Sequence, residues 1–331
     1  MYCMIQYIVI LLDDTSVSFC HYSVERHEHR LIPLQTLRAG ILYAMKENLN
    51  VQFVYPDYEL PAEYQEAIDS VDHSDIKPKG KDCVDADVVV LDGLEQAKQC
   101  SLCHDKPYVL RITKDCLLSQ ASQVASLLGH VARLNVIITD ARSFTDADAD
   151  RYSAALQVLA DETKRLLLTG VSAQLNLLTD RMALDDMNNC GAGDTTITLA
   201  PNGHFYVCPA FYQCAQQNDI GSSVGSDIGD LESGLNIKNA QLYRIDHAPI
   251  CRHCDAYQCR RCIWLNRLTT CEVNTPSHEQ CVMAHLERNA SQALLKAVRQ
   301  HGTFLPEHGD ISEISYLDPF DMRNEWDREE S

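Results

Sequence analysis

The sequence predicts an α/β fold followed by a small cysteine-rich module. Three observations carry that prediction: β-branched apolar runs alternate with longer helical patterns up to about residue 180, the character of the chain changes near Asp185, and nine of the fifteen cysteines crowd between Cys190 and Cys281. The first half then reads as either a partial (β/α) barrel or a smaller doubly wound sheet, because periodicity is the same for both.

Taken in order, strands are expected at Ile5–Leu12, Val51–Tyr55, Asp87–Leu91, Tyr108–Ile112, Asn135–Thr139 and Gln174–Leu178. Their near-continuous apolar content implies burial on both faces. Between them, Pro33–Leu49, Pro61–Val71, Leu117–Leu134 and Thr145–Leu168 carry apolar residues at three- and four-residue spacing and read as helices. Beyond Asp185, Thr195–Leu199 and His204–Cys208 flank Pro201-Asn202-Gly203, a hairpin signal. Ile220 to Gly234 reads as a loop, Val282–His301 as a helix, and the end of the chain as an irregular acidic tail. The expected divisions are 1–184, 185–301 and a tail over 302–331.

Composition narrows the function. A formal charge of −19 argues against a nucleic-acid partner held by phosphate contacts. The longest early apolar run, Tyr7 to Leu12, stops at Asp13-Asp14, far short of a membrane span, and lacks the flanks of a signal peptide, so a cytoplasmic location is expected. In that reducing compartment dense thiols read as metal ligands rather than disulfides.

Cys251, Cys254, Cys259 and Cys262 form a C-x2-C-x4-C-x2-C run, and Cys281 follows after eighteen residues. A zinc ribbon separates its two knuckles by roughly 15–20 residues, so four intervening residues are cramped for it. Closely spaced cysteines whose last member serves a neighbouring cluster are an iron–sulfur arrangement, and Cys262 is the candidate for that crossing role. Arg252, Arg260, Arg261 and Arg267 outnumber Asp255, Glu272 and Glu279 in this stretch, as an anionic thiolate-bound cluster would require. Zinc remains the alternative metal.

These residues carry a resemblance. Cys190, then Gly203-x4-Cys208, then the later run and Cys281 resemble the SPASM domain that follows the catalytic barrel of radical-SAM peptide-modifying enzymes. The later run there is usually C-x2-C-x5-C-x3-C, so this chain is one residue shorter in each of the last two gaps. More narrowly, Cys251 to Asn266, with Thr275 to Cys281 and Leu286-Glu287-Arg288-Asn289, is similar to the CXXX repeat peptide maturase family. The resemblance implies a degenerate radical-SAM-like barrel and two 4Fe-4S clusters. One would be held by Cys190, Cys208 and Cys262, with Cys214 or Cys271 as a fourth ligand or an open iron site; the other by Cys251, Cys254, Cys259 and Cys281. It also implies a cysteine-containing precursor peptide as partner.

The C-x3-C-x2-C triad that holds the radical-generating cluster is missing: Cys3, Cys20, Cys83, Cys116 and the Cys100/Cys103 pair never fit that spacing. S-adenosylmethionine is therefore not expected, and the uses left to the barrel-like half are to hold the peptide, to dock a separate radical-SAM enzyme or to relay electrons to it. Cys20, His21, His27 and His29 read as a polar loop, and Asp13-Asp14 and Asp92 as helix caps at strand ends. Gly191-Ala-Gly193 is expected to allow close backbone approach to a cluster. Three functions stay open: an iron–sulfur accessory of peptide maturation, a zinc-stabilised peptide-binding module, and an autonomous enzyme with an open-site iron.

Overall fold

The computed structural model describes residues 5–80, 86–214 and 227–311. In chain order the elements are β1 (Tyr7–Leu11), α1 (Leu34–Glu47), β2 (Asn50–Val54), α2 (Ala62–Ile68), β3 (His73–Pro78), β4 (Val88–Asp92), α3 (Leu94–Lys98), β5 (Pro107–Ile112), α4 (Lys114–Ala125) and β6 (Arg133–Ile138). They continue with α5 (Ala149–Leu168), β7 (Gln174–Leu175), α6 (Thr179–Ala183), β8 (Thr196–Leu199), β9 (His204–Tyr206), α7 (Pro209–Gln213), β10 (Asp227–Asp230), β11 (Gly234–Leu235), α8 (Ile263–Thr270) and α9 (His278–Arg299). Cys3, Cys83 and most of the 302–331 tail lie outside the described residues.

The chain packs as two units. The first comprises the described residues of Met1–Asp92, Gln99–Ser101 and Gly191–Arg244. Its strands run in the order β11-β10-β9-β8-β1-β2-β3-β4. From β8 to β4 the pairings are parallel, while β8–β9, β9–β10 and β10–β11 are antiparallel. Ile8, Ile10, Leu11, Phe53 and Val54 are fully buried, which is the reason β1 and β2 were legible as apolar runs. Gly40 sits inside α1, where glycine costs about 1 kcal/mol of helix propensity. Its role is steric: a Cβ there would lie 2.3 Å from Leu199 Cδ2, so glycine lets α1 press onto β8.

The second unit comprises the described residues of Gly93–Lys98, Leu102–Cys190 and Ile245–Ser331. Its strands β5, β6 and β7 pair in parallel. Tyr152, Leu156, Leu159, Thr163 and Leu166 form the buried stripe of α5, and Ala284, Arg288, Ser291, Leu295 and Val298 that of α9, against which α5 packs. A capping box starts α9: Ser277 Oγ accepts from the Gln280 N–H, and Gln280 Oε1 accepts from the Ser277 N–H. This places the start of α9 four residues before the expected Val282, so Cys281 lies on the helix.

Several expectations are corrected. β3 was not anticipated, because only Ile76 of its six residues is buried. The helix expected over Leu117–Leu134 ends at Ala125, since Arg133 onward is already β6. The expected strand over Gln174–Leu178 is two residues long, because Thr179 Oγ1 binds the Leu175 backbone and turns the chain into α6. Part of the expected 220–234 loop forms β10 and the first residue of β11. Gly191 and Gly193 both have positive φ, but the close approach at Gly193 is to the Tyr243 ring, 2.7 Å from where a Cβ would stand.

Candidate metal centre

In the second unit, Cys251, Cys254, Cys259 and Cys281 line one pocket together with Met187, Arg261 and His285. Three of the thiols come from the turns before α8. Cys281 and His285 are one helical turn apart on α9 and leave the same face of it.

The turns are held by side chains from α6 and α9. Arg288 of α9 forms a buried ion pair with Asp255, Nη1 to Oδ1, at 2.5 Å. Arg181 of α6 donates from Nε to the Asp255 carbonyl at 2.7 Å and lies over the Tyr257 ring at 4.2 Å. Gln258 donates to the Ala284 carbonyl at 2.7 Å and to Glu287, which accepts a second bond from Tyr152 of α5 at 2.6 Å. Fully buried Asn266 ties α8 to the segment before α9, donating to the Val273 carbonyl and accepting from Gln280. The thiol-bearing loop is thus fixed by contacts that do not involve its thiols.

Electrostatics favour an anion only when a cation compensates it. Burial pushes the Cys259 thiol up to about 12 and the Cys251 thiol up to about 11, and for Cys251 the Arg261 guanidinium opposes part of the rise. Arg261 is 2% exposed, has a left-handed backbone with φ +47°, and donates from Nε to Asn189 Oδ1. Desolvated thiols stay protonated at neutral pH until a metal takes the place of their protons.

The donor set fits a thiolate-bound metal group. A single tetrahedral ion with metal–sulfur bonds near 2.3 Å would hold its sulfurs within about 4 Å of one another. Among the described residues, the three donor atoms that close to within 4.8 Å belong to Cys254, Asp255 and His285, not to three of the thiols. The four thiols line one pocket, and a thiolate-bound group with several metal atoms is held by such a set of cysteines.

The other expected ligands are distributed between the units. Cys208 precedes α7 and buried Cys214 follows it, with Sγ donating to the Ser23 carbonyl at 3.6 Å, all in the first unit. Cys190, Cys262 and exposed Cys271 belong to the second. There the Asn188 and Cys190 N–H groups donate to the Tyr257 and Arg260 carbonyls, which lays the Cys190 backbone beside the cysteine run.

In the first unit, the loop after β1 presents no comparable set. Asp13 is fully buried and accepts from the Thr15 N–H at 2.8 Å, Thr15 Oγ1 at 2.6 Å and Tyr58 OH at 2.8 Å. Asp14 pairs with Arg26 at 3.0 Å and accepts a short hydrogen bond from Tyr212 OH. Neither caps a helix, contrary to expectation, since α1 begins only at Leu34. His29 rests edge-on against Tyr58, with Nδ1 3.1 Å from Thr15 Oγ1. Sequence reasoning missed His285, Arg181 and the Asp255–Arg288 pair; the Cys281-x3-His285 spacing was the one signal available for the first.

No protein-family model and no curated protein matches the chain by sequence. Solved structures do match in fold. The chain is similar to native anSMEcpe with bound AdoMet, at 11% identity and a TM-score of 0.58, over 89% of this chain and 100% of that one. It is similar also to native anSMEcpe with bound AdoMet and the Cp18Cys peptide, at 10% identity and a TM-score of 0.58, over 89% and 99%. The complex with the Kp18Cys peptide gives 0.55 at 10% identity, over 88% of this chain and 99% of that one. The fold is therefore the mixed α/β, radical-SAM-like fold of these structures.

Proposed function

We propose that the chain is an iron–sulfur protein of a ribosomal-peptide maturation system, which binds a cysteine-containing precursor peptide and serves a radical-SAM partner. The observation that carries this reading is the convergence of Cys251, Cys254, Cys259 and Cys281 on one pocket beside buried Arg261. In this reading the segment 185–301 is the SPASM-like part. These four thiols hold one 4Fe-4S cluster, while Cys190, Cys208 and Cys262 hold the other, with Cys214 or Cys271 as its fourth ligand. When bound, such clusters supply electron transfer. The residues of the chain fix the thiols, exclude water from them and offset their charge through Arg261.

The missing cysteine triad and the internally bonded Asp13 and Asp14 support a role without S-adenosylmethionine cleavage. Two of the similar structures contain Cp18Cys and Kp18Cys peptides, which supports a peptide as the ligand of this fold here. No helix among the described residues is long and apolar enough to cross a membrane, and the cytoplasm is the proposed compartment. A second reading, a zinc-stabilised peptide-binding module, is favoured by the Cys254, Asp255 and His285 donor atoms lying within 4.8 Å of one another. The test is an anaerobic anisotropy titration of a fluorescent cysteine-containing peptide with the full chain. Saturable binding that a Ser-for-Cys peptide lacks supports the proposal, and equal or absent binding of both contradicts it.

A further inference from the structure

Two donors are aimed at Cys254. The Ala256 N–H approaches Cys254 Sγ at 3.4 Å, and His285 Nε2 lies 3.5 Å from the same sulfur. His285 reaches it from α9, one turn beyond Cys281, and lines the same pocket. A metal-bound cysteine is a thiolate and can only accept, so a hydrogen bond between these two atoms requires the ring proton on Nε2. The carboxylate of Asp255, the third group of this cluster, is ion-paired with Arg288.

We propose that His285 is a positioning residue of the metal centre: its Nε2–H···Sγ bond to Cys254 draws charge from that thiolate and raises the reduction potential of the bound cluster. The inference rests on the iron–sulfur reading. A reduced cluster carries one more negative charge than an oxidised one, and a donor to a ligating sulfur stabilises the more negative state further. Cys254 has two such donors, the Ala256 N–H and His285 Nε2. Loss of one of them lowers the potential without removing a ligand.

The experiment is a potentiometric titration of the full chain, followed by electron paramagnetic resonance, for wild type, His285→Leu and His285→Gln. In His285→Leu one midpoint is expected to fall while the other stays and the iron content is unchanged. In His285→Gln, whose side-chain amide can still donate, the shift is expected to be partly reversed. Unmoved midpoints in His285→Leu overturn the proposal, as do equal shifts in both variants, which mark a merely structural role. Loss of metal in both variants also overturns it, because His285 is then a ligand. Wild-type protein without iron or sulfide overturns the iron–sulfur reading itself, a failure visible before any variant is made.

Discussion

The loop after β1 and the pocket between the cysteine turns and α9 both carry groups able to hold a cofactor, and they use them in opposite ways. In the first, Asp13 and Asp14 direct their carboxylates inward, where Thr15, Tyr58, Tyr212 and Arg26 supply donors from the protein itself. In the second, burial of Cys251 and Cys259 outweighs what Arg261 offsets, and their thiols are pushed up to about 11 and about 12. A carboxylate whose acceptors are filled by protein donors is a structural element. Thiols gathered round a pocket at the cost of desolvation point to a metal.

The largest effect that sharpens this contrast is on metal content. Cys251→Ser and Cys259→Ser are each expected to abolish the metal group of the pocket, halving the iron of the purified chain, whereas Asp14→Asn leaves it unchanged; elemental analysis reads both. Next comes Arg288→Ala, which leaves Asp255 buried without its cation. It is expected to cost about 3–5 kcal/mol in urea unfolding and to loosen metal binding, because Asp255 adjoins Cys254. Asp14→Asn is expected to cost about 2 kcal/mol of stability through weakened bonds to Arg26 and Tyr212, with no change in metal. An equal loss of metal in Asp14→Asn would break the comparison.

The smallest effect concerns pH. Removal from water beside Tyr152 and Gln258 pushes the Glu287 carboxyl up to about 7 from its ordinary 4.5, against the lowering by their hydrogen bonds. Its folded value lies above its unfolded one, so its contribution to stability is full below about pH 4.5 and is lost as pH rises through 7. Stability should fall by on the order of 2 kcal/mol across that window, allowing for partial exposure. Glu287→Gln should flatten the slope, as read by denaturant melts at several pH values.

How much of this was legible in the sequence follows from what each residue's surroundings impose. Buried runs such as residues 8–11 declare themselves, because both faces demand apolar side chains. β3, with the sequence HSDIKP, does not, because its register comes from β2 and β4 rather than from its own pattern. The short spacings within 251–262 marked out a cysteine cluster, and the capping box at Ser277 and Gln280 is what carries Cys281 onto a helix that returns it to the same pocket. His285 was not legible, since a lone histidine on an amphipathic helix gains meaning only when tertiary packing sets it 3.5 Å from Cys254. The Asp13-Asp14 pair was misread as caps because its partners, Tyr58 and Tyr212, lie 45 and 198 residues away.

The central claim, that the cysteine module is an iron–sulfur centre, is tested most directly by anaerobic purification of the full chain with iron, sulfide and zinc quantification and an absorption spectrum near 400 nm. The account predicts brown protein with about eight irons and matching sulfide. One zinc per chain, no sulfide and no visible band would contradict it and leave a zinc-held peptide-binding module.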